Sequence, residues 1–285
     1  GTGGTAQGDT YDSIENIIGS DFDDTLTGDT GENVIDGGEG NDTLIGGFGF
    51  DDLDGGLGVD TADYSASSSG VTVNLLAGTG AGGDAEGDTL VNIENVTGSN
   101  SNDVLRGDSG DNVLTGRGGN DTFVGNGGND TYDGGAGGNV TNGDVVTYAS
   151  STSAVTINLT NITLNVGDAA GDTYIDIERF VGSSFDDTMI GDTVAVGFFG
   201  GNGNDTLTGS TAGDRIDGNN GNDIIDGGAG NDDLRGDAGN DIIDGGEGNN
   251  TIRGGGGNDT ITAGSGNDNI ILNDGNGDNI VDAGD

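Results

Sequence analysis

The sequence predicts an all-β solenoid built from short strands that alternate with glycine-rich turns, and three observations predict it. Residues 182–271 divide without a gap into ten units of nine residues. Each unit places a large apolar residue at the same phase, although only 29% of the chain is hydrophobic. Each unit also opens with a hexamer that is rich in glycine and usually ends in aspartate. A fixed short period with one apolar and one acidic position is typical of a solenoid.

The apolar residue of each unit predicts a short strand. Its two neighbours are mostly polar, so one side chain points inward and the flanking ones point outward, as the period of two in a strand requires. The ten predicted inward residues are Met189, Phe198, Leu207, Ile216, Ile225, Leu234, Ile243, Ile252, Ile261 and Ile270.

The hexamer before each strand predicts a tight turn. Glycine at its first, second and fourth places permits the positive-φ conformations that such a turn needs. Asparagine, which also tolerates that region, is common at the fifth place, as at Asn204, Asn222, Asn231 and Asn240.

Two units then form one coil of eighteen residues, so turns eighteen residues apart lie on the same edge of the solenoid. Successive coils stack at strand spacing, about 4.8 Å. Aspartates stacked this closely repel each other and would oppose folding unless a cation lay between them. In the ten-unit stretch, one edge carries Asp187, Asp205, Asp223, Asp241 and Asp259, and the other carries Asp214, Asp232 and Asp268.

The available ligands select calcium as that cation. Carboxylates and turn carbonyls offer only oxygen, which suits a hard cation, and a flexible loop favours Ca²⁺ over the rigid octahedron of Mg²⁺. The chain has no His and no Cys, which excludes the usual ligands of zinc or copper.

The units resemble the nonapeptide repeats of the RTX, or haemolysin-type, calcium-binding family, Gly-Gly-x-Gly-x-Asp-x-(large apolar)-x. GGEGNDTLI, residues 37–45, matches that pattern at every place, and GGAGNDDLR, residues 227–235, is a second clear example. The resemblance implies a right-handed parallel β-roll. It also implies several Ca²⁺ ions between stacked turns, held by aspartate side chains and backbone carbonyls.

We expect residues 1–285 to form one continuous solenoid that is a piece of a longer protein. Its nonapeptide segments are 19–63, 98–138 and 182–285, and residues 64–97 and 148–181 interrupt them. In the first two segments the expected calcium ligands are Asp24, Asp42, Asp51, Asp60, Asp103, Asp121 and Asp130. Four edge positions without aspartate predict incomplete sites: Asn33, Asn112, Val196 and Asn250.

The interrupting stretches break the nine-residue period. They resemble segments of serralysin-type C-terminal regions and of large RTX adhesins, and we expect them to continue the coil with longer turns. Four of their aspartates fit either a calcium site or a solvated turn: Asp84, Asp88, Asp168 and Asp172. A recurring Ile-Glu pair favours a structural hydrogen-bonding role for Glu15, Glu94 and Glu178.

Beyond Ile271 the period slips by one residue, and Asp278 and Ile280 are predicted to resume it, with Asp278 as a further ligand. An EF-hand loop is the weaker alternative there, because its sixth place would be Asn279 rather than glycine. Its acidic and amide positions would be Asp274, Asn276, Asp278 and Asp285. Elsewhere, Arg235 and Arg253 are predicted to stack beside Asp217 as a solvated charge ladder.

Composition limits the functions that the chain can have. A formal net charge of −45, with no Lys, makes nucleic acid and anionic membranes poor partners and divalent cations good ones. About twenty Ca²⁺ ions would neutralise this charge. Without His or Lys there is no Ser–His triad, P-loop or Schiff base. We therefore expect a protein that is not an enzyme, with neither a catalytic site nor an organic cofactor.

These inferences predict the calcium-binding region of a secreted bacterial protein. In the RTX family, chains leave the cell unfolded by type I secretion and fold on extracellular calcium, so we expect an extracellular or cell-surface location. The expected role is structural, as in an S-layer or adhesin. Two alternatives stay open: a non-catalytic module of a secreted protease, lipase or alginate epimerase, and a polysaccharide-binding module. Further expected partners are cell-surface polysaccharide and other copies of the chain.

Overall fold

The structure, a computed structural model, describes residues 15–136, 138–272 and 277–284. It confirms the all-β fold: short strands form parallel sheets that stack as a β-solenoid, and the described residues contain no α-helix. Of the EF-hand alternative, Asp274, Asn276 and Asp285 lie outside the described residues. Short 3-10 turns occur at Gly83–Ala85, Ile162–Leu164 and Gly167–Ala169. No helix among these residues has the length and apolar character of a membrane span.

The chain divides into two compact units. The first comprises Gly1–Gly137 with Thr173–Asp176. Its strands are β1 (Asn16–Ile18), β2 (Thr25–Thr27), β3 (Val34–Asp36), β4 (Thr43–Ile45), β5 (Asp52–Asp54), β6 (Thr61–Asp63), β7 (Thr72–Asn74), β8 (Thr79–Ala81), β9 (Thr89–Val91), β10 (Asn95–Thr97), β11 (Val104–Arg106), β12 (Val113–Thr115), β13 (Thr122–Val124), β14 (Thr131–Asp133) and β17 (Thr173–Ile175). One sheet runs in the order β1-β3-β5-β9-β8-β7-β11-β13, and the other runs β17-β14-β12-β10-β6-β4-β2.

The second unit comprises Gly138–Asp172 with Ile177–Asp285. Its strands are β15 (Val145–Thr147), β16 (Thr156–Asn158), β18 (Arg179–Val181), β19 (Thr188–Ile190), β20 (Gly197–Asn202), β21 (Thr206–Thr208), β22 (Arg215–Asn220), β23 (Ile224–Asp226), β24 (Asp233–Ala238), β25 (Ile242–Asp244), β26 (Thr251–Gly256), β27 (Thr260–Thr262), β28 (Asn269–Ile271) and β29 (Ile280–Asp282). They form two sheets, β15-β18-β20-β22-β24-β26-β28 and β16-β19-β21-β23-β25-β27-β29.

The register within the sheets follows the predicted coil of eighteen residues. Ile225 pairs with Ile243, and Leu234 pairs with Ile252. Nine of the ten predicted inward residues are at most 1% exposed, and Ile270, near the end of the unit, is half-buried. The core is therefore a file of one apolar side chain per strand, which fixes the turns at both edges of each coil.

The first interrupting stretch departs from its prediction. Instead of longer turns alone, β7 and β8 form an antiparallel pair, and β8 also pairs antiparallel with β9. Strand β9 then stacks on β5, while β7 stacks on β11. The hairpin thus inserts the extra strand β8 between β7 and β9, and Ala85, in the turn that follows β8, is fully buried.

The last strand also departs from its prediction. Thr260 pairs with Ile280, and Ile261 pairs with Val281. By register the inward position therefore falls to Val281, which is still 38% exposed at this last strand, and the preceding turn ends at Asn279 rather than at Asp278. The prediction that Ile280 and Asp278 resume the period is wrong by one residue.

Candidate metal centres

Aspartates at the sixth place of the turns form hydrogen-bonded rows along the edges of each unit. We call each such position a rung, and the rungs that stack on one edge form an edge row. At the predicted ligands from Asp42 to Asp268, one carboxylate oxygen accepts a hydrogen bond from a backbone amide one coil earlier. In the second unit, the amides of Asp187 and Asp205 donate to Oδ1 of Asp205 and Asp223 at 2.8 Å. In the first unit, the amide of Asp42 donates to Oδ1 of Asp60 at 2.7 Å.

This geometry explains the glycine at the first place of the turn, for a reason that differs from the prediction. First-place glycines such as Gly227 do not have positive φ. A Cβ on Gly227 would instead lie 2.7 Å from Oδ2 of Asp232 and 2.8 Å from the carbonyl oxygen of Gly245, one coil further on. A carboxylate oxygen and a turn carbonyl therefore converge on the same space, which a side chain would fill.

Positive φ is confined to other places of the turn. Second- and fourth-place glycines have it, as at Gly228 (φ 85°) and Gly230 (φ 139°). The fifth-place asparagines do not, so the conformational reason predicted for them is wrong. Their amide oxygens instead accept hydrogen bonds from the next coil: Oδ1 of Asn204 from the amide of Asn222, and Oδ1 of Asn222 from the amide of Asn240, at 2.8 and 2.7 Å.

The second carboxylate oxygen is the unusual feature of the rungs. At nine of the predicted ligands, Oδ2 is buried and has no hydrogen-bond partner within the described part of the chain. A buried polar atom without a partner costs about 1–3 kcal/mol, and a charged one costs more. The rungs with this open oxygen are Asp42, Asp51, Asp60, Asp205, Asp223, Asp232, Asp241, Asp259 and Asp268.

Burial perturbs the acidity of these carboxyl groups. Desolvation raises the pKa of Asp205 and of Asp241 to about 7, and that of Asp232 to about 6, from an ordinary value of 3.8. Neighbouring rungs add to the effect, since the charge on Asp187 raises the pKa of Asp205 further. The amide hydrogen bond opposes the shift without cancelling it. A cation beside the open oxygens would remove this penalty.

The donor set fits calcium. Its atoms are carboxylate oxygens and the carbonyl oxygens of glycine turns, which are hard ligands. Among the described residues, no three acidic side chains converge closely enough to hold a metal on their own. An ion at an open rung would therefore draw its further ligands from turn carbonyls, such as that of Gly245 beside Asp232, or from water.

Four predicted ligands differ from the open rungs, because a serine four residues earlier already donates to Oδ2 of each. At Asp103, Asp187 and Asp214, Oδ1 also accepts the amide of a valine in the coil before. Oδ2 of Asp187 accepts hydrogen bonds from the amide and Oγ of Ser183 at 2.5 and 3.0 Å. The amides of Ser20, Ser99 and Ser210 donate in the same way to Oδ2 of Asp24, Asp103 and Asp214. The hydroxyl of Ser20 also donates to Oδ2, whereas the hydroxyls of Ser99 and Ser210 donate to Oδ1.

The other predicted ligands occupy varied settings. Oδ1 of Asp121 and of Asp130 accepts the amide of the preceding rung at 2.8 and 2.9 Å. The Tyr132 hydroxyl lies 3.3 Å from Oδ2 of Asp130. Asp278 is exposed and stands outside the row, whose last rung is Asn279, where Oδ1 accepts the amide of Asp259 at 2.8 Å.

The interrupting stretches supply rungs that the nine-residue pattern did not assign. Oδ1 of Asp88 accepts the amide of Asp51 at 2.9 Å, and Oδ2 accepts the Tyr64 hydroxyl at 3.0 Å, so this aspartate is not a solvated turn residue. Glu94 accepts the amide of Asp60 at 2.8 Å, the kind of hydrogen bond predicted for it. The recurring distance from Tyr64 to Asp88, twenty-four residues, was the signal available in the sequence.

Glu178 and Asp172 repeat this arrangement in the second unit. Glu178 accepts the amide of Asp144 at 2.9 Å, again the kind of hydrogen bond predicted for it. The Tyr148 hydroxyl donates to Oδ2 of Asp172 at 2.6 Å. Of the other two aspartates in these stretches, Asp84 is buried and Asp168 is partly exposed.

The arginine ladder of the second unit is less solvated than predicted. Arg235 and Arg253 do stack in register, and Arg235 lies 3.6 Å from Asp217. Asp217 itself is only 4% exposed and pairs with Arg215 at 2.8 Å. Strands β22, β24 and β26 therefore carry a partly buried ion-pair network on their outer face, away from the edge rows.

Comparison with known families agrees with this geometry. The model of the RTX calcium-binding nonapeptide repeat, which spans four copies, matches residues 10–44, 18–53, 31–62, 97–132, 107–140, 199–234 and 235–270. Together these matches cover more than half of the chain, and they leave out the interrupting stretches almost entirely. No curated protein matches the chain.

Proposed function

The chain belongs to the RTX calcium-binding nonapeptide repeat family, and from that premise we propose that it is a calcium-triggered structural module of a secreted bacterial protein. The observation that carries this proposal is the set of nine open rungs, each with a buried carboxylate oxygen that has no partner within the described residues. The module would have a structural or cell-surface role and would not itself be catalytic.

The open rungs would hold the ions. We assign calcium to Oδ2 of the aspartates together with turn carbonyls of neighbouring coils, because these atoms face the same space beside the first-place glycines. Bound calcium supplies positive charge between carboxylates that would otherwise repel. The chain's own contribution is to orient Oδ1 by the amide of the preceding rung, which leaves Oδ2 directed at the site.

Calcium binding and folding would be one event. A file of one apolar residue per strand is a thin core, and a formal net charge of −45 opposes compaction. A site assembled from different coils does not exist in the unfolded chain, so the binding free energy becomes folding free energy. Extracellular calcium modules bind at about 10⁻⁴–10⁻³ M. Such an affinity would leave the chain unfolded in the cytosol and fold it after type I secretion.

The test is far-UV circular dichroism of the full chain during a calcium titration that starts in EDTA, with magnesium as the control. We expect a cooperative transition from coil to β-structure near millimolar calcium and no such transition with magnesium. A strong β signal that persists in EDTA at neutral pH would contradict the proposal.

A further inference from the structure

The turns that carry aspartate rungs occur in two conformations. In the first, which we call open, the residue at the second place has positive φ, as at Gly56 (φ 93°) and Gly228 (φ 85°). Its amide donates to the aspartate two residues earlier, Asp54 or Asp226, at 3.2 or 3.0 Å. The amide is thus turned away from the rung, and Oδ2 of Asp60 and of Asp232 stays without a partner in the described part of the chain.

In the second conformation, which we call closed, the second place is serine. None of the serines Ser20, Ser99, Ser183 and Ser210 has positive φ. Their amides point at the rung and donate to Oδ2 of Asp24, Asp103, Asp187 and Asp214 at 2.5–2.6 Å.

The serine hydroxyl completes the closed turn. Oγ of Ser210 donates to Oδ1 of Asp214 at 2.9 Å, and it accepts the amide of Ala212 at 3.0 Å. The hydroxyl is therefore held in place from both sides. With the amide of Val196 also donating to Oδ1 at 2.8 Å, the Asp214 carboxylate accepts three hydrogen bonds. Three donors offset part of the desolvation of this carboxylate without a metal, although burial still raises the pKa of Asp214.

Closed turns occupy a particular position in the edge rows. In the coil before, the amide that donates to the closed aspartate belongs to a valine: Val71 for Asp103, Val155 for Asp187, and Val196 for Asp214. At these three places the closed aspartate is thus the first carboxylate after a valine in its row, whereas Asp51 and Asp268, which follow Asn33 and Asn250, are open. An ion on that side would find an apolar side chain in place of a second carboxylate. The next rungs, Asp205 and Asp232, are open.

We propose that the closed turns are metal-free caps, in which a serine amide and hydroxyl take the place of calcium on the first carboxylate after a valine in the row. Calcium then occupies the open turns only. Serine at the second place closes the turn, whereas glycine, or a residue held at positive φ such as Asn219 or Asp237, opens it. This inference rests on the proposed calcium function and specifies which rungs serve it.

The caps also give each row a starting point that does not depend on calcium. Asp187 is satisfied by Ser183 and Val155 before any ion binds, and its own amide positions Oδ1 of Asp205. The first open rung is therefore oriented by a rung that is already complete. Folding of a row would proceed from its cap toward the open rungs.

Neighbouring rungs of one row provide a matched test in the full chain. We would compare Asp205→Asn, at an open rung, with Asp187→Asn, at a closed rung, and count bound calcium by equilibrium dialysis and mass spectrometry. We expect Asp205→Asn to lose at least one ion per chain and Asp187→Asn to keep the wild-type count. If both variants lost the same number of calcium ions, the proposal that Asp187 forms a metal-free cap would be overturned. Wild-type protein that binds no calcium would instead overturn the proposed function.

Anomalous diffraction from calcium in crystals of the wild-type chain gives a second reading that does not depend on whether a variant folds. We expect peaks beside Oδ2 of Asp205, Asp223 and Asp232, and none beside Oδ2 of Asp187 or Asp214. A peak at either closed rung would overturn the proposal, even where the open rungs are occupied as expected.

Discussion

The backbone amide of Asp205 donates a 2.8 Å hydrogen bond to Oδ1 of Asp223, eighteen residues later, while Oδ2 of Asp223 is buried without a partner in the described residues. One carboxylate therefore does two things. Its first oxygen fixes the stacking of two coils, and its second oxygen is left to a ligand from outside the chain. The coupling of stacking to ligand binding follows from this single side chain.

Replacing Asp223 with asparagine separates these two tasks. The amide oxygen can still accept the bond from Asp205, but the charge beside the calcium site is lost. We expect the free energy of unfolding in saturating calcium to fall by about 1.5–3 kcal/mol, as for a hydrogen bond to a charged group. Thermal unfolding at saturating calcium measures this loss. Glu247→Gln, at an exposed third place, removes the same charge and should change stability little. Equal losses in both variants would point to net charge instead.

The first-place glycine should tolerate no side chain. In Gly227→Ala, the new Cβ would meet Oδ2 of Asp232 and the carbonyl oxygen of Gly245. We expect this overpacking to cost about 1–3 kcal/mol and to raise the calcium concentration at the folding midpoint.

The matched control for this variant is Gly256→Ala. Gly256 stands at the third place of a turn in the same compact unit. A Cβ added there would lie 3.9 Å from the nearest atom, and the φ of Gly256 is not positive. Alanine there should be neutral or slightly stabilising. If Gly227→Ala were as mild as this control, the crowded space beside the rung would not exist.

The buried apolar residue of each strand and the aspartates of the edge rows could be predicted, because both depend only on the nine-residue period. Leu234 and Asp232 are assigned by counting in nines, and the structure places both as the count requires. The reason for the fifth-place asparagines could not be predicted, because the partner of Asn222 lies in another coil. The hairpin at β8 also could not be predicted, because Thr79–Ala81 shows no alternation of apolar and polar residues that would indicate a strand.

The closed turns are visible in the sequence as serines at the second place, but the nine-residue period alone does not say what those serines do. Ser183 and Ser210 stand where glycine is usual, and both precede an aspartate by four residues. Whether such a serine closes the turn depends on its φ, which only the folded backbone reveals. The register after Ile271 failed for a similar reason, because strand pairing and not spacing placed Asn279 in the row.

The hydrogen bonds that the fifth-place asparagines accept from the next coil should contribute to stability without contributing to calcium binding. In Asn240→Ala, the amide of Asn258 loses the acceptor that it now finds at 2.8 Å. We expect a loss of about 0.5–1.5 kcal/mol, typical of one neutral hydrogen bond, and an unchanged count of bound calcium. Asn267→Ala is the control, because Oδ1 of Asn267 accepts no hydrogen bond within the described residues. A lower calcium count for Asn240→Ala would make this asparagine a ligand.

A fall in pH should stabilise the calcium-free fold but weaken the folding that calcium drives. The pKa of Asp205 and of Asp241 rises to about 7 in the calcium-free fold, mainly because burial desolvates the charged form. A carboxyl group whose pKa is raised by folding stabilises the fold fully below its unfolded pKa, and this contribution disappears as the pH rises through the folded value. In EDTA, we therefore expect β-structure to be stronger at pH 5 than at pH 8.

Calcium reverses this dependence, because it binds the deprotonated carboxylates and so competes with protons. The calcium concentration at the folding midpoint should rise as the pH falls below about 7. Circular dichroism in EDTA and in calcium, from pH 5 to pH 8, measures both trends. The double variant Asp205→Asn with Asp241→Asn removes the two carboxyl groups whose pKa rises to about 7, and should flatten the pH dependence of the β signal in EDTA. A β signal in EDTA that grew with pH would show that these carboxylates are not desolvated in the calcium-free fold.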